Sequence, residues 1–323
     1  MQFNHSTTSF RDGIGRWMGT AGVSLPPGLS NREILEQSGT MFNVEKRQVA
    51  VQTPTGYVKS PNHYATIRTD TNTILGTVGG KYQVTQNAAA LGIIEAAGDR
   101  LEVQAAGAMD GGARAWFYCG VRDTEGEIVK GDPHHAYVLL TTDHTGNGSM
   151  EVAFTSVRLV CTNQMQMLRS MSRKSGNTIK IRHSGDIGLK LRQAEKVVER
   201  SLALNTSFQE EMRYLSTLSI TEDETEMLLR QLSPDPEKGK NPAMARNKRE
   251  EILNHILTGR GQDMQGVRGT RYGVLQGITH WSTHKHAEDQ DPEKKLKHSW
   301  FAGGDKAAQR AREILLAPNA LAA

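Results

Sequence analysis

The sequence is poor in the residues that mark several large classes of protein. Only two cysteines occur among the 323 residues, Cys119 and Cys161, which argues against a disulfide framework and a four-thiolate zinc site. Aromatic residues make up only 6%, so an aromatic-paved binding groove is not supported. The chain has no apolar run long enough to cross a bilayer and no signal-peptide pattern at its start. These absences predict a cytoplasmic protein without a membrane partner.

Signatures of catalytic and cofactor sites are also missing. The glycine-rich segment 76–82 lacks phosphate-loop spacing, and Tyr82 stands where a magnesium-binding hydroxyl would be needed. A tight turn between strands is expected there instead. The glycines of residues 13–19 miss the dinucleotide-binding spacing, and no nucleophile elbow occurs. We therefore predict no enzymatic activity, no catalytic residues and no cofactor. A hydrolase or nuclease with a site assembled in space is the least favoured alternative.

Histidines are the remaining candidates for metal ligands. His280 and His284 are four residues apart, so on a helix they would share one face, and His286 follows. The glutamate of the H-E-x-x-H motif is absent, however, and no cysteine lies nearby. We predict no metal site, although the sequence leaves this open for these three histidines. The other histidines in predicted loops are expected at the surface, namely His134, His135 and His144.

The pattern of apolar and polar residues changes from strand-like to helical near residue 160. Short strand-like runs separated by turn residues occupy 48–52, 63–68, 74–78, 101–108, 113–121, 137–142 and 151–156. One helix at 85–97 interrupts them, with Thr85, Gln86 or Asn87 as its cap. Helical spacing then predicts helices at 189–204, 206–218, 221–232, 243–257, 270–285 and 305–316. The fold class is therefore α+β, with a mostly antiparallel N-terminal half and a helical C-terminal half. The predicted domains are an arm with a short helix capped by Ser30 (1–43), a strand-rich core (44–184) and a helical region (185–323).

The distribution of basic residues points to a polyanionic partner. The net charge is +4, and residues 158–200 contain ten Lys or Arg against three acids, partly within a segment rich in Ser and Gly. A solvated helix face plus a loop is the structural alternative. Arg158 lies among apolar residues, so it would need a protein partner or a ligand phosphate. The predicted contacts to a nucleic-acid backbone are Arg158, Arg169, Arg173, Lys174, Lys180 and Arg182.

Several short motifs occur in an order that resembles a known family. They are Arg68-x-Asp70-Thr71, Leu75-Gly76-x-Val78-Gly79-x-x-Tyr82, Gln86-Asn87, Ala106-Gly107 with Gly111-Gly112, Thr155-Ser156-Val157-Arg158-Leu159-Val160-Cys161-x-Asn163 and Ile181-Arg182-His183-Ser184. Over residues 10–230 the chain resembles the phage/plasmid-like proteins, catalogued as domain of unknown function number 932. That family offers no catalytic residues to carry over. More distantly, it is similar to phage single-strand annealing proteins of the Red-beta, Erf and Sak type.

The resemblance and the basic segment together predict a function. We expect a non-enzymatic protein of a phage or plasmid recombination system that binds and anneals single-stranded DNA in the host cytoplasm. Sheet edges in the strand-rich half predict a homo-oligomer, a ring or filament. A phage recombination nuclease is a further partner suggested by the resemblance. The alternative is a phage-encoded protein-interaction module, with an anti-defence or regulatory role and no nucleic-acid chemistry.

Overall fold

The computed structural model of the protein describes residues 22–146, 150–158, 179–181, 187–237, 241–284, 291, 293–294, 306–317 and 321. These residues divide between two compact units. The first unit takes the described residues of 1–123, 137–154 and 176–201. The second takes those of 124–136, 155–175 and 202–323.

A small antiparallel sheet forms the start of the first unit. Its strands follow the order β2 (Val44–Thr53), β3 (Gly56–Arg68) and β4 (Thr73–Gly79). β4 pairs with β3 only from His63 onward, so the outer part of the β2–β3 hairpin extends beyond β4 as two strands. At the other end of the sheet, a small apolar core contains Phe42, Val44, Leu75 and Ala113. The hairpin is therefore packed at its base and open at its tip.

A larger antiparallel sheet carries many of the buried side chains of the first unit. Its strands follow the order β1 (Val23–Ser24), β5 (Leu101–Met109), β6 (Arg114–Val121), β8 (Pro133–Asp143), β9 (Met150–Arg158) and β10 (Ile179–Ile181). A further short strand, β7 (Gly126–Glu127), pairs with β8. β6 and β8 are buried along almost their whole length, as their near-continuous apolar runs require. A tight hairpin turn joins β5 to β6. Positive φ angles at Asp110, Gly111 and Gly112 form it.

Two short helices complete the first unit. α1 (Asn31–Gln37) begins with the predicted cap at Ser30. The Ser30 hydroxyl accepts a hydrogen bond from the backbone N–H of Glu33, and the Glu33 carboxylate accepts one from the backbone N–H of Ser30. α2 (Ala88–Ala96) buries its apolar residues and packs against α1 and β5. The predicted side-chain cap of α2 is wrong. Asn87 occupies the N-cap position but makes no capping hydrogen bond.

The second unit is built from helices. They are α3 (Ile187–Thr217), which starts in the first unit, α4 (Glu222–Leu232), α5 (Ala243–Thr258), α6 (Arg271–His284) and α7 (Lys306–Leu316). The sequence predicted two helices here, at 189–204 and 206–218, and this division is wrong because one helix covers both. The Thr206 hydroxyl donates to the carbonyl of Leu202 at 3.1 Å, so it is satisfied within a continuous helix. None of the described helices is long and apolar enough to cross a membrane.

α6 lies at the centre of the helical unit. Residues 272–279 are all buried, so the helix has no solvent face over two turns. Close backbone contact requires glycine there, since a Cβ on Gly277 would lie 2.4 Å from the Cα of Ile256 in α5. Tyr272, Leu275 and Ile278 of α6 join a core with Met212, Leu228, Ile252 and Leu315. The α+β fold class is confirmed, with antiparallel sheets in the N-terminal half and helices in the C-terminal half.

The glycine-rich segment 76–82 contains the end of β4 and then a tight turn, in which the backbone N–H of Tyr82 donates to the carbonyl of Gly79 at 3.1 Å. Gly76 lies inside β4, where a Cβ would approach the backbone atoms of Thr145 to between 2.4 and 2.6 Å. Gly79, in the same strand, has no atom within 4 Å of a Cβ position. Glycine is therefore needed at residue 76 for packing and not for a turn or a phosphate.

Gly76→Ala should destabilise the protein by about 1–3 kcal/mol, because the methyl group meets backbone that cannot rotate away. The matched variant Gly79→Ala should change the free energy of unfolding by less than about 0.5 kcal/mol. Urea denaturation followed by circular dichroism measures both variants. Equal stability of the two would contradict the close approach of β4 to Thr145.

Candidate nucleic-acid interface

The structure describes the backbone of only two of the six basic residues that were predicted to contact phosphates. Arg158 ends β9, and Lys180 pairs with Glu151 across β10 and β9, but their side chains are not among those described. The others lie outside the described residues, namely Arg169, Arg173, Lys174 and Arg182, and so does Cys161. Their role in binding stays a prediction.

His144 is fully buried, so its predicted surface position is wrong. Its Nε2 lies 2.9 Å from Oδ1 of Asn87, and the same oxygen accepts from the Thr142 hydroxyl at 3.0 Å. The Asn87 amide nitrogen donates to the carbonyl of Thr40 at 2.9 Å. The His144 carbonyl accepts from the Thr66 hydroxyl at 2.6 Å. Asn87 thus joins separate elements of the first unit through its side chain, which is why it does not cap α2.

His134 is also fully buried, in a second network within the helical unit. The Tyr272 hydroxyl donates to Oδ2 of Asp132 at 2.7 Å, and its oxygen lies 3.1 Å from Nε2 of His134. The side chains of Asp132, His134 and Tyr272 are all fully buried. Because a substrate in solution cannot reach any of them, we interpret this network as structural. It gives the buried carboxylate the hydrogen-bond donor that burial demands.

His135 is the third histidine that the sequence placed at the surface in error. It is buried beside Thr124, and burial lowers the pKa of its imidazole to about 4 because the charged form loses its hydration. The Glu125 carboxylate lies 3.7 Å away and would favour the charged form. The Glu125 side chain is 59% exposed, however, so water screens that attraction. The loss of hydration therefore outweighs it, and the pKa of His135 falls. His135 is a neutral packing residue near pH 7.

Two further side chains bear on possible chemistry. Burial raises the pKa of the Cys119 thiol far above its usual range, so this cysteine does not act as a nucleophile. His280 lies in α6 beside His255 of α5, while the side chains of His284 and His286 lie outside those described. Over the described ranges, no group of three or more His, Cys, Asp or Glu side chains could hold a metal ion.

The outer end of the β2–β3 hairpin is the most exposed regular structure of the first unit. Gln48 pairs with Tyr64 and Ala50 with Lys59, so β3 carries an irregular bulge over residues 60–63 opposite a single residue of β2. Pro61 suits that position, since it cannot donate to a strand ladder. Beyond the bulge, residues 50–59 form a two-stranded ribbon about 13 Å long, here called the ribbon.

The two faces of the ribbon differ in chemistry. Tyr57 pairs with Gln52 and lies two residues before Lys59, so these three side chains share one face. The Tyr57 side chain is 75% exposed, and Lys59 makes no hydrogen bond or ion pair within the described part of the chain. The opposite face carries the cross-strand pair Val51 and Val58, both mostly exposed. One face therefore offers an aromatic ring, an ammonium and an amide, and the other is apolar.

The charge around the ribbon is of one sign. No acidic residue occurs between Lys46 and Thr69. At the base of the hairpin, the side chains of Lys46 and Arg47 already have partners within the protein. Lys46 donates to the carbonyls of Gly80 and Tyr82 at 2.7 and 2.8 Å, and Arg47 pairs with Glu45 at 2.9 Å. Lys59 is thus the cation of the hairpin that is available to a ligand.

The sequence prediction missed the ribbon because it placed strands at 48–52 and 63–68 and left the residues between them unassigned. A signal was present in the segment Pro54-Thr55-Gly56, which supplies the turn between two alternating runs. The absence of acids over more than twenty residues was a second signal.

We predict that His135 makes the stability of the protein depend on pH. The unfolded imidazole binds a proton below about pH 6.5, whereas the folded one stays neutral down to about pH 4. The stabilising contribution is therefore complete above pH 6.5 and is lost as the pH falls towards 4, by about 3 kcal/mol in total. Urea unfolding at several pH values should show a smaller loss for His135→Gln than for the wild type. His63→Gln, at an exposed position, is the control and should follow the wild type.

Comparison with known proteins relates the chain to one family. Neither a curated protein nor a solved structure is significantly similar to the chain. A family model described as a domain of unknown function (DUF932) matches residues 74–314, about three quarters of the chain. The match begins in β4, after the ribbon, and extends through α6 into α7. The protein therefore belongs to the DUF932 family.

Proposed function

We propose that this protein binds single-stranded DNA and anneals complementary strands without bond-making chemistry. The observation that carries the proposal is the ribbon face with Tyr57, Lys59 and Gln52. An exposed aromatic ring beside a free ammonium group provides a surface on which a base can stack while its phosphate meets a positive charge.

The ribbon favours a single strand over a duplex for a steric reason. Bases inside a duplex are already stacked on both sides, so Tyr57 can stack only on an unpaired base. The hairpin approaches phosphates without repulsion, because no acidic residue occurs between residues 46 and 69. An ammonium and a stacking ring do not read base edges specifically, so the expected binding has little sequence preference.

The basic segment would add contacts to the nucleic-acid backbone. In this proposal, Arg158, Arg169, Arg173, Lys174, Lys180 and Arg182 neutralise phosphates outside the ribbon. Their contribution should be electrostatic and independent of sequence.

In this proposal the protein works as a homo-oligomer, a ring or filament in which neighbouring copies bind the same DNA strand. Within the described residues, β2 pairs with β3 alone. The Gln86 amide bonds the backbone N–H and carbonyl of Val44 at the start of the other edge of β2, and the rest of that edge is open for strand pairing with a second copy. Annealing needs several nucleotides to be presented together, which repeated ribbons would supply. The resemblance to phage and plasmid proteins suggests a recombination system as its context and a recombination nuclease as a partner.

A protein-interaction module is the second candidate. The apolar face of the ribbon favours it, because Val51 and Val58 are 60% and 58% exposed and form one cross-strand pair. Exposed apolar pairs of this kind dock against proteins more readily than against phosphates. On this reading, Tyr57 would contact a partner protein.

We predict that Tyr57→Ala weakens binding to a labelled single-stranded oligonucleotide by about 5- to 150-fold, since loss of one stacked base costs about 1–3 kcal/mol. Tyr214→Ala removes an exposed tyrosine of α3 and is the matched control, expected to bind like the wild type. Fluorescence anisotropy with single-stranded and duplex DNA measures the affinities, and a strand-pairing assay with complementary labelled oligonucleotides measures annealing. Unchanged affinity of Tyr57→Ala would favour the protein-interaction module.

The charged contacts should appear in the dependence on salt. Lys59→Ala should make the log-log salt slope shallower by about 0.7, and the triple variant Arg169→Ala, Arg173→Ala, Lys174→Ala by up to about 2. Lys306→Ala, an exposed lysine of α7, is the control and should leave the slope unchanged. A triple variant that remains folded and keeps the wild-type slope would show that the basic segment does not contact phosphates.

A further inference from the structure

The open edge of β2 is long and regular. The Gln86 amide bonds both backbone groups of Val44, so these groups point away from β3. Backbone groups alternate in direction along a strand, so every second residue after Val44 also faces the open edge. These residues are Lys46, Gln48, Ala50 and Gln52. The bulge does not disturb the alternation, because its additional residues all lie in β3. Within the described chain, none of the four makes a backbone hydrogen bond on the open side.

β4, the other edge strand of this sheet, is less suited to pairing. It has seven residues against the ten of β2, and its register with β3 shifts at Ile67. The backbone of Gly146 also lies against it, since a Cβ on that residue would be 3.0 Å from the carbonyl oxygen of Thr77. A second copy that extends the sheet therefore finds the longer and more accessible edge at β2.

The β2 edge is complementary to a second copy of itself. In an antiparallel pair with a two-fold axis at Val49, the outward-facing residues meet one another. Lys46 lies opposite Gln52 of the second copy, and Gln48 lies opposite Ala50. Each outward N–H and C=O group of these residues then gains a partner. Moving the axis to Gln48 or Ala50 would leave some of them unpaired.

The side chains and charges also suit this register. On the apolar face, Val49 meets Val49 of the second copy. Val51, which is 60% exposed in the single chain, meets the aliphatic stem of Arg47, whose guanidinium already pairs with Glu45. The two Lys46 residues lie at opposite ends of the paired strands, about 20 Å apart, which exceeds the screening length of about 8 Å at physiological salt. Like charges therefore do not face each other across the pair.

We propose that two copies of this protein pair antiparallel through their β2 edges, with Val49 at the two-fold axis. An axis normal to the sheet keeps its faces together, so the Tyr57 faces of both ribbons join into one surface. The use of that surface for DNA rests on the proposed function, whereas the pairing does not. A two-fold interface closes on itself, so this contact gives a dimer. A ring or filament would be built from such dimers through another surface.

Ala50→Pro tests the pairing. The N–H of Ala50 points away from β3, so proline removes no hydrogen bond within the subunit but removes one from each paired edge. Sedimentation equilibrium at micromolar concentrations should give at least twice the chain mass of 35.6 kDa for the wild type. Ala50→Pro should have half the wild-type mass. The matched control Ala50→Ser keeps the N–H and should keep the wild-type mass, and so should Tyr57→Ala.

Val49→Cys tests the register. Residues opposite each other in a non-hydrogen-bonded antiparallel pair have Cα atoms about 4.5 Å apart, a distance that a disulfide can span. Mild oxidation of Val49→Cys should therefore give a cross-linked dimer on a non-reducing denaturing gel. Val58→Cys is the control, because Val58 lies on the same face but in β3, away from the edge. The wild type reports any cross-linking through Cys119 and Cys161.

Three results would overturn the proposal once circular dichroism has shown that the variants are folded. They are a wild type that stays monomeric at micromolar concentrations, an Ala50→Pro variant with the wild-type mass, and cross-linking of Val58→Cys without cross-linking of Val49→Cys. Failure of the proposed function gives a different result. In that case the wild type pairs and cross-links as expected but does not bind single-stranded DNA.

Discussion

The hydrogen bonds of Asn87 and His144 hold the base of the β2–β3 hairpin in place, and the position of the ribbon depends on that base. Asn87 binds Thr40 and His144 through opposite ends of its amide, and the His144 carbonyl accepts from Thr66 in the inner half of β3. These buried bonds fix the base of the hairpin to the loop after β8. Buried hydrogen bonds of this kind resist disruption, because breaking one leaves a polar group without water or partner. With the base held, the hairpin can project its outer end into solvent without support from a third strand.

The regular elements were largely predictable because their signals are local. Alternating and helical spacing located most of the strands and helices. The cap residue Ser30 and the turn residues 110–112 form their local structures through their own side-chain and backbone chemistry. The misses came from competition between local and distant partners. Asn87 looked like a helix cap, but its side chain finds three partners from outside the helix. The need for glycine at residue 76 of the predicted strand 74–78 was not visible either, because it comes from the backbone of Thr145, which is distant in sequence.

The candidate sites were much less predictable, since each depends on residues far apart in sequence. His134 and His144 sit between turn residues, a context typical of the surface, yet tertiary packing buries both. The pairing of His255 with His280 spans 25 residues and depends on a glycine contact between helices that no periodicity reveals. Tyr57 and Lys59 are candidate ligand contacts because both faces of the ribbon are exposed. The alternation of apolar and polar residues alone does not show that both faces of a strand are exposed.

The bulge at residues 60–63 gives the ribbon room to change in length. Side chains alternate along a strand, so adding or removing two residues on each strand would alter the reach of the ribbon and keep Tyr57 and Lys59 on one face. A change of one residue would turn that face over, unless the irregular bulge absorbed it. The family match begins at residue 74, beyond this hairpin. Insertions and deletions could therefore tune how far the ribbon extends while the hydrogen-bonded base and the helices stay as they are.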